Sequence, residues 1–364
     1  MHSYALFSAQ YRPHPGGVES FTEALANELA VQHDQVLVVT NLLDDSPSEE
    51  VQENGVHVLR VPCLPLINGR LPLSLPKKTA KLSLEAMKSI DVDRVLINTR
   101  FYPHTLAGLR AANQIGAPAI VLDHGSAHLT LGSPFIDWTI RRYEHFITRI
   151  VKGKHPKFAG ISKKSVEWLE HFRIYTNLVI PNAIDAPAFR SLSSGRSFRN
   201  ELGIDPKTPM VAFVGRITPE KGAMKLLAAS QVIEGQRVEF IFAGAGFQAD
   251  QLEDNVGDNV HFVGAVSKAD LSALLQQSNL FCLPTRSEGF CTSLLEASAC
   301  GIPSIIPDVG GAREIIVDQS FGTILDNTNP ETIAQAITHL VSMDKTAREA
   351  MGARARSRVE TSCS

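Results

Sequence analysis

Apolar residues along this chain fall into short runs, each followed by glycine or polar turn residues. The runs lie at 4–9, 35–40, 56–61, 94–98, 119–122 and 157–162, then again at 210–214, 239–243, 260–263, 280–284 and 304–306. Between several of them the spacing becomes helical. Val18, Phe21, Leu25 and Leu29 mark one amphipathic helix, 105–115, 135–151 and 163–171 read as others, and Ile333, Ile337, Leu340 and Val341 mark a late one. Strands alternating with helices predict an α/β fold with parallel, doubly wound sheets. Ligands of such sheets gather beyond the C-terminal ends of the strands. The segment 64–75, rich in proline and leucine, reads as a loop.

At 364 residues the chain exceeds one ordinary core, so two domains are expected. A hydrophobic content of 44% with 20% charged residues excludes disordered and fibrous classes. Neither a signal-like N-terminus nor an apolar stretch of the roughly 18 residues needed to span a bilayer is present, which predicts a cytoplasmic protein. Five cysteines form no C-x-x-C pair and no spacing with histidine that would hold zinc, so neither a disulfide framework nor a metal centre is expected. The net charge of −3 gives no global field for nucleic acid. Between 141 and 164, however, Arg141, Arg142, Arg149, Lys152, Lys154, Lys157, Lys163 and Lys164 face Glu144 alone. That patch is either a solvated face or a contact for anionic headgroups on the inner face of a membrane. Without interleaved aromatic motifs it does not read as a nucleic-acid surface.

The candidate chemistry centres on 285–303. A strand end is followed by a turn and by a helix that Gly301 stops, with Pro303 barring continuation. Glu288 and Glu296 stand at the mouth and one side of this helix, about 12 Å apart if the helical rise holds throughout. Unpaired N–H groups at the helix start, around Gly289, Phe290, Cys291 and Thr292, would take an anion, and the carboxylates would grip hydroxyls on either side. A phosphate with a sugar at each end is a nucleotide-sugar. Taken alone, the two glutamates are equally a capping residue and a solvated one. Upstream, the strand 210–214 runs into Gly215-Arg216-Ile217-Thr218-Pro219-Glu220-Lys221-Gly222, where two cations at a strand end suit a diphosphate leaving group that gains charge as its bond breaks. Gly16 and Gly17 open the first strand–turn–helix unit and let backbone approach an anion, although the dinucleotide fingerprint G-x-G-x-x-G is absent. His124 follows the strand 119–122 at its ligand end, with His128 as a local competitor. Asp91-Val92-Asp93 precedes a strand and so lies at the wrong end of the sheet for a D-x-D metal site.

In this order the motifs resemble those of retaining glycosyltransferases of family 4 (glycosyl transferases group 1). Glu288 and Glu296 look like their E-x7-E pair, Arg216 and Lys221 their G-R-x4-K-G loop, Gly16-Gly17-Val18-Glu19 their GG-x-E turn, and 178–185 their V-P-N-G-I-D connection, with Ala183 in place of glycine. The resemblance implies the GT-B fold, two Rossmann-like domains facing across a cleft: an acceptor-binding domain over 1–183 and a donor-binding domain over 184–364. It also implies transfer of a hexose from a nucleoside diphosphate sugar (UDP- or GDP-linked) to a glycan or lipid-linked acceptor, with no cofactor and no essential metal. Arg216 and Lys221 would bind the diphosphate, Glu296 the ribose, and Glu288 with the Gly289 and Phe290 backbone the donor sugar, with His124 beside the anomeric carbon. Family members continue past the equivalent of 354–362 with a helix that crosses back to the first domain, and no such helix precedes Ser364. A partner subunit that binds nucleotide-sugar without catalysis would keep the same second-half motifs, and an epimerase or phosphorylase would share the fold.

Overall fold

The computed structural model describes residues 2–14, 16–66, 71–128, 134–235 and 237–363, and among them fourteen strands are found, most but not all separated by helices. The chain divides into two compact units, Met1–Ile180 and Pro181–Ser364.

In the first unit the strands are β1 (Ser3–Phe7), β2 (Gln35–Leu42), β3 (Glu49–Val51), β4 (His57–Leu66), β5 (Leu71–Ser74), β6 (Arg94–Asn98), β7 (Ala119–Asp123) and β8 (Lys157–Gly160). They are ordered β3-β4-β2-β1-β6-β7-β8, with β5 on β4. All neighbours are parallel except β3/β4 and β4/β5. The chain leaves β1 for β2 on one side and returns to β6 on the other, so the order reverses at β1. At that reversal the connecting loops part and leave room for a ligand. Ala5, Phe7, Val39, Ile97 and Val121 build the core on one sheet face, and Leu6, Val36, Val38 and Val58 build that on the other. Burial on both faces explains why these strands read as continuous apolar runs.

The second unit carries β9 (Met210–Val214), β10 (Glu239–Ala243), β11 (Val260–Gly264), β12 (Leu280–Cys282), β13 (Ser304–Pro307) and β14 (Gly322–Leu325) in the order β11-β10-β9-β12-β13-β14. Every pair is parallel. Here the reversal falls between β9 and β12. β9 and β10 are buried throughout, with Phe213 and Phe242 packed 5.4 Å apart between ring centres.

Several elements differ from the sequence reading. The segment 64–75 is the end of a β-hairpin: Cys63–Leu66 pair antiparallel with Leu71–Ser74, Pro65 opposite Pro72. The tip, 67–70, lies outside the described residues, as do 129–133. Proline hid the hairpin, because a residue without N–H reads as a strand breaker although it is tolerated at a sheet edge. The helix Pro76–Ser89 and the four-residue β14 are not marked by any of the apolar runs or helical spacings in the sequence. In the helix Gly17–Val31 the fully buried positions are Thr22 and Ala26, with Phe21, Leu25 and Leu29 flanking them at partial burial. Ser267 caps the helix Lys268–Gln277 as the capping box predicts, but Asp270 takes a hydrogen bond from Ser194 (2.6 Å). Asn182 bonds no backbone of its own, and its Oδ1 has no partner among the described residues. Among the described residues no helix is long and apolar enough to cross a membrane.

Candidate functional site

Two clusters of the expected residues stand at the C-terminal edges of the sheets, one in each unit. In the second unit, β9 ends in the loop 215–222 and β12 in the loop 283–291, side by side at the chain reversal. The loops are stitched together: Arg286 N–H and Thr285 Oγ1 both donate to the Glu220 carbonyl, at 2.8 and 3.0 Å. Gly222, at φ +78°, sits so close to Pro284 that a Cβ would fall 2.3 Å from the Pro284 carbonyl oxygen, and glycine alone satisfies both constraints. This contact brings the candidate side chains of the two loops together. Lys221 Nζ and Glu288 Oε1 form an ion pair at 2.5 Å, with the Glu288 side chain only 9% exposed. Arg216, at the start of the same loop, is exposed, and its guanidinium has no ion-pair partner among the described residues. The loop 308–311 after β13 closes the arrangement: Gly310, at φ +49°, lies where a Cβ would come within 2.7 to 2.8 Å of the Gly289 and Glu288 carbonyl oxygens.

The helix itself is shorter than the sequence suggested. It runs Thr292–Ala299 with Cys291 at its cap in the left-handed region (φ +79°), so Glu288 lies in the loop ahead of it. The estimate of about 12 Å along a continuous axis therefore does not apply. Phe290 and Cys291 are buried, so their side chains do not face solvent, and burial pushes the Cys291 thiol up to about 12, far from reactive. Gly301, at φ +71°, ends the helix as expected. Glu296 lies half-buried on the helix, and burial pushes its carboxyl up to about 7, opposed only in part by Lys268.

The first unit places His124 just past β7. Its Nε2–H donates to Asn98 Oδ1 (2.8 Å), and the Asn98 amide in turn donates to Thr22 Oγ1 (3.0 Å). Phe21 packs edge-on against the ring at 5.2 Å. Burial holds the imidazole well below its usual range, at about 3, so it is neutral near pH 7. It can accept or orient but not act as a resident acid. Asn98 is buried at the end of β6, and no motif in the sequence marks it. Behind His124 lies a second feature that the sequence did not show. Arg100, 1% exposed, reaches Asp123 at 3.5 Å and Glu144 at 3.7 Å and covers the Phe172 ring at 3.8 Å. Burial pushes Asp123 up to about 6, with Arg100 opposing.

Gly16 precedes and Gly17 begins the helix after β1; a Cβ on Gly16 would meet the Glu19 carboxylate. Asp93 sits at the opposite sheet edge, where it accepts from Ser3 N–H (3.3 Å) and pairs with His2 (2.9 Å), tying β1 to β6. Asp91-Val92-Asp93 is thus part of the framework.

Comparison with known proteins agrees with this geometry. Residues 195–358 match the family described as Glycosyl transferases group 1, and residues 15–186 match Glycosyltransferase Family 4. A GDP-mannose-dependent alpha-mannosyltransferase of Mycolicibacterium smegmatis is 26% identical over 93% of this chain and 88% of its own. Among solved structures, the sucrose-phosphate synthase from Thermosynechococcus elongatus superimposes with a TM-score of 0.77 at 20% identity, covering 99% of this chain and 94% of that one. Anabaena HepE, solved with UDP and glucose, gives 0.74 at 18% identity over 99% and 95%. The folds of these neighbours are GT-B, and the two parallel-sheet units described above are the halves of that architecture. The chain belongs to the family 4, group 1 glycosyltransferases.

Proposed function

We propose that this glycosyltransferase moves a hexose from a UDP- or GDP-linked donor to a hydroxyl of a glycan or lipid-linked acceptor, with retention of anomeric configuration and no metal ion in the bond-breaking step. The observation that carries the reading is the meeting of Lys221 and Glu288 at the reversal of the second sheet, beside the start of the helix Thr292–Ala299. On this reading Lys221 turns from Glu288 to the donor diphosphate and Arg216 joins it, a point charge and a planar fork on one leaving group. The C1–O bond to the diphosphate breaks and the acceptor oxygen bonds C1 on the same face. The departing phosphate oxygen takes the acceptor proton. Charge accumulates on the diphosphate as this happens, so fixed cations stabilise the transition state more than the ground state.

Glu288, released from Lys221, accepts from donor-sugar hydroxyls, together with backbone of Gly289 and Phe290. The backbone at Cys291 and Thr292 faces the phosphates, and Glu296 accepts from the ribose. His124 is assigned to the anomeric region of the donor and Gly16–Gly17 to close backbone approach, both by the family resemblance. The mannosyltransferase relative and the UDP-bound neighbour support a hexose donor of these two base classes. The acceptor assignment to cell-surface polysaccharide or glycolipid synthesis, at the inner face of a membrane, is supported by the helix Pro134–Lys152. Phe135, Trp138 and Phe146 are 74%, 58% and 64% exposed on one side of it, with Arg142 over the Trp138 ring.

Thermal shift with UDP, GDP and ADP selects the base, and a turnover assay with the matching hexose donor tests the chemistry. Arg216→Ala and Lys221→Ala are each expected to lower kcat by about 10²–10³, the scale of losing one charge-stabilising group. Undiminished turnover in either variant removes its role.

A further inference from the structure

Away from the loops 215–222 and 283–291, three imidazoles from separate elements of the first unit lie together. His128 lies in the segment after β7, His145 on the helix Pro134–Lys152, and His171 at the C-terminal end of the helix Lys163–Glu170. Their ligand atoms all lie within 4.8 Å of one another, and the Nε2 atoms of His145 and His171 are 3.2 Å apart. Zinc–nitrogen bonds of about 2.0–2.1 Å in tetrahedral array set ligand nitrogens roughly 3.3 Å apart. One pair already has that separation, and the third ring needs a small rotation or shift.

The surroundings fit a metal ligand set. His128 Nδ1 donates to Glu144 Oε2 at 2.7 Å, and the Glu144 side chain is 2% exposed. A buried carboxylate on the far nitrogen fixes the tautomer and leaves Nε2 with its lone pair free, as second-shell carboxylates do at zinc histidines. Trp168 stacks on His171 at 4.9 Å with planes 4° apart, and Phe172 packs against both His171 and His145, so two rings are held in place. Arg100 approaches Glu144 at 3.7 Å, and its charge is opposed by Asp123 as well. His145 and His171 are exposed, which leaves the fourth coordination position to water.

We propose that His128, His145 and His171 form a three-histidine site for a divalent transition metal, zinc by donor type and spacing, with Glu144 as the residue that orients His128. The ion would fasten the basic helix, the helix Lys163–Glu170 and the segment leading from His124 to one another. It is independent of the proposed transfer chemistry. A short His145–His171 hydrogen bond without metal is the competing account.

The test is metal binding by the full chain after chelator treatment, followed by calorimetry with Zn²⁺ and by absorption spectroscopy with Co²⁺. One Zn²⁺ per chain is expected, with the intense visible bands of four-coordinate cobalt. His145→Gln and His171→Gln, both at exposed positions, should each weaken binding at least tenfold, and Glu144→Gln by about 10–100-fold. No saturable uptake, or uptake of equal affinity in a His145→Gln/His171→Gln double variant, overturns the proposal.

Discussion

At the residue scale, burial rather than chemical identity sets what the candidate groups can do. His124 and Glu296 are both ordinary titrating side chains in sequence, yet one is held neutral at pH 7 and the other titrates there. For Glu296 the sign follows from which state loses its proton first. Below the ordinary carboxylate value of 4.5 both folded and unfolded chains carry the proton, and burial of the neutral group is cheap. Between 4.5 and about 7 the unfolded chain ionises first, so this residue removes stability as pH rises through that window and the loss persists above it. Glu296→Gln should therefore gain thermal stability relative to wild type at pH 8 and not at pH 4. If Glu296 accepts from the ribose, nucleoside diphosphate should also bind more tightly at pH 8 than at pH 6, because an ionised acceptor makes the stronger bond. Titration calorimetry at the two pH values checks this, and a Glu296→Gln protein with the same pH dependence as wild type would contradict it.

At the scale of elements, glycines and short loops decide which residues meet. Lys221 and Glu288 are 67 residues apart and come together because Gly222 lets one loop lie against Pro284 of the other. The helix Pro134–Lys152 makes the opposite point. Its apolar residues at helical spacing look like a core face in sequence, but several are exposed, interleaved with Arg142 and Arg149. Such a face suits the boundary between headgroups and acyl chains. Replacing Phe135, Trp138 and Phe146 together by serine should abolish flotation with anionic liposomes. Arg142→Ala with Arg149→Ala should weaken it by about tenfold or more, at ~1 kcal/mol per basic residue. An equal affinity for neutral liposomes, or binding to an oligonucleotide in place of lipid, would count against a membrane role.

At the scale of the whole molecule, each unit has its own sheet, its own core and its own cluster of candidate residues. A unit with its own hydrophobic core can unfold as a cooperative step of its own. Scanning calorimetry is expected to resolve two transitions, the one belonging to Met1–Ile180 identified by its selective loss of stability in Asn98→Ala. A nucleoside diphosphate at a hundred times its Kd should raise the other transition, by roughly 2.7 kcal/mol of added stability. If the nucleotide moves only the transition of Met1–Ile180, the donor site has been placed in the wrong unit.

The sequence by itself determined the alternation of strands and helices, the parallel sheets and the order of the motifs. These depend on local periodicity and on turn residues whose geometry is fixed over a few positions, as at Gly301 after the helix Thr292–Ala299 or Ser267 before the helix Lys268–Gln277. It did not determine the hairpin at β5, where proline masks pairing that a neighbouring strand supplies. Nor could it show that Asn98 orients His124, that Arg100 lies between Asp123 and Glu144, or that His128, His145 and His171 converge. Those facts were decided by tertiary structure, because contacts between residues far apart in the chain leave no period in it and exist only once the sheet brings the strand ends and their helices to one edge.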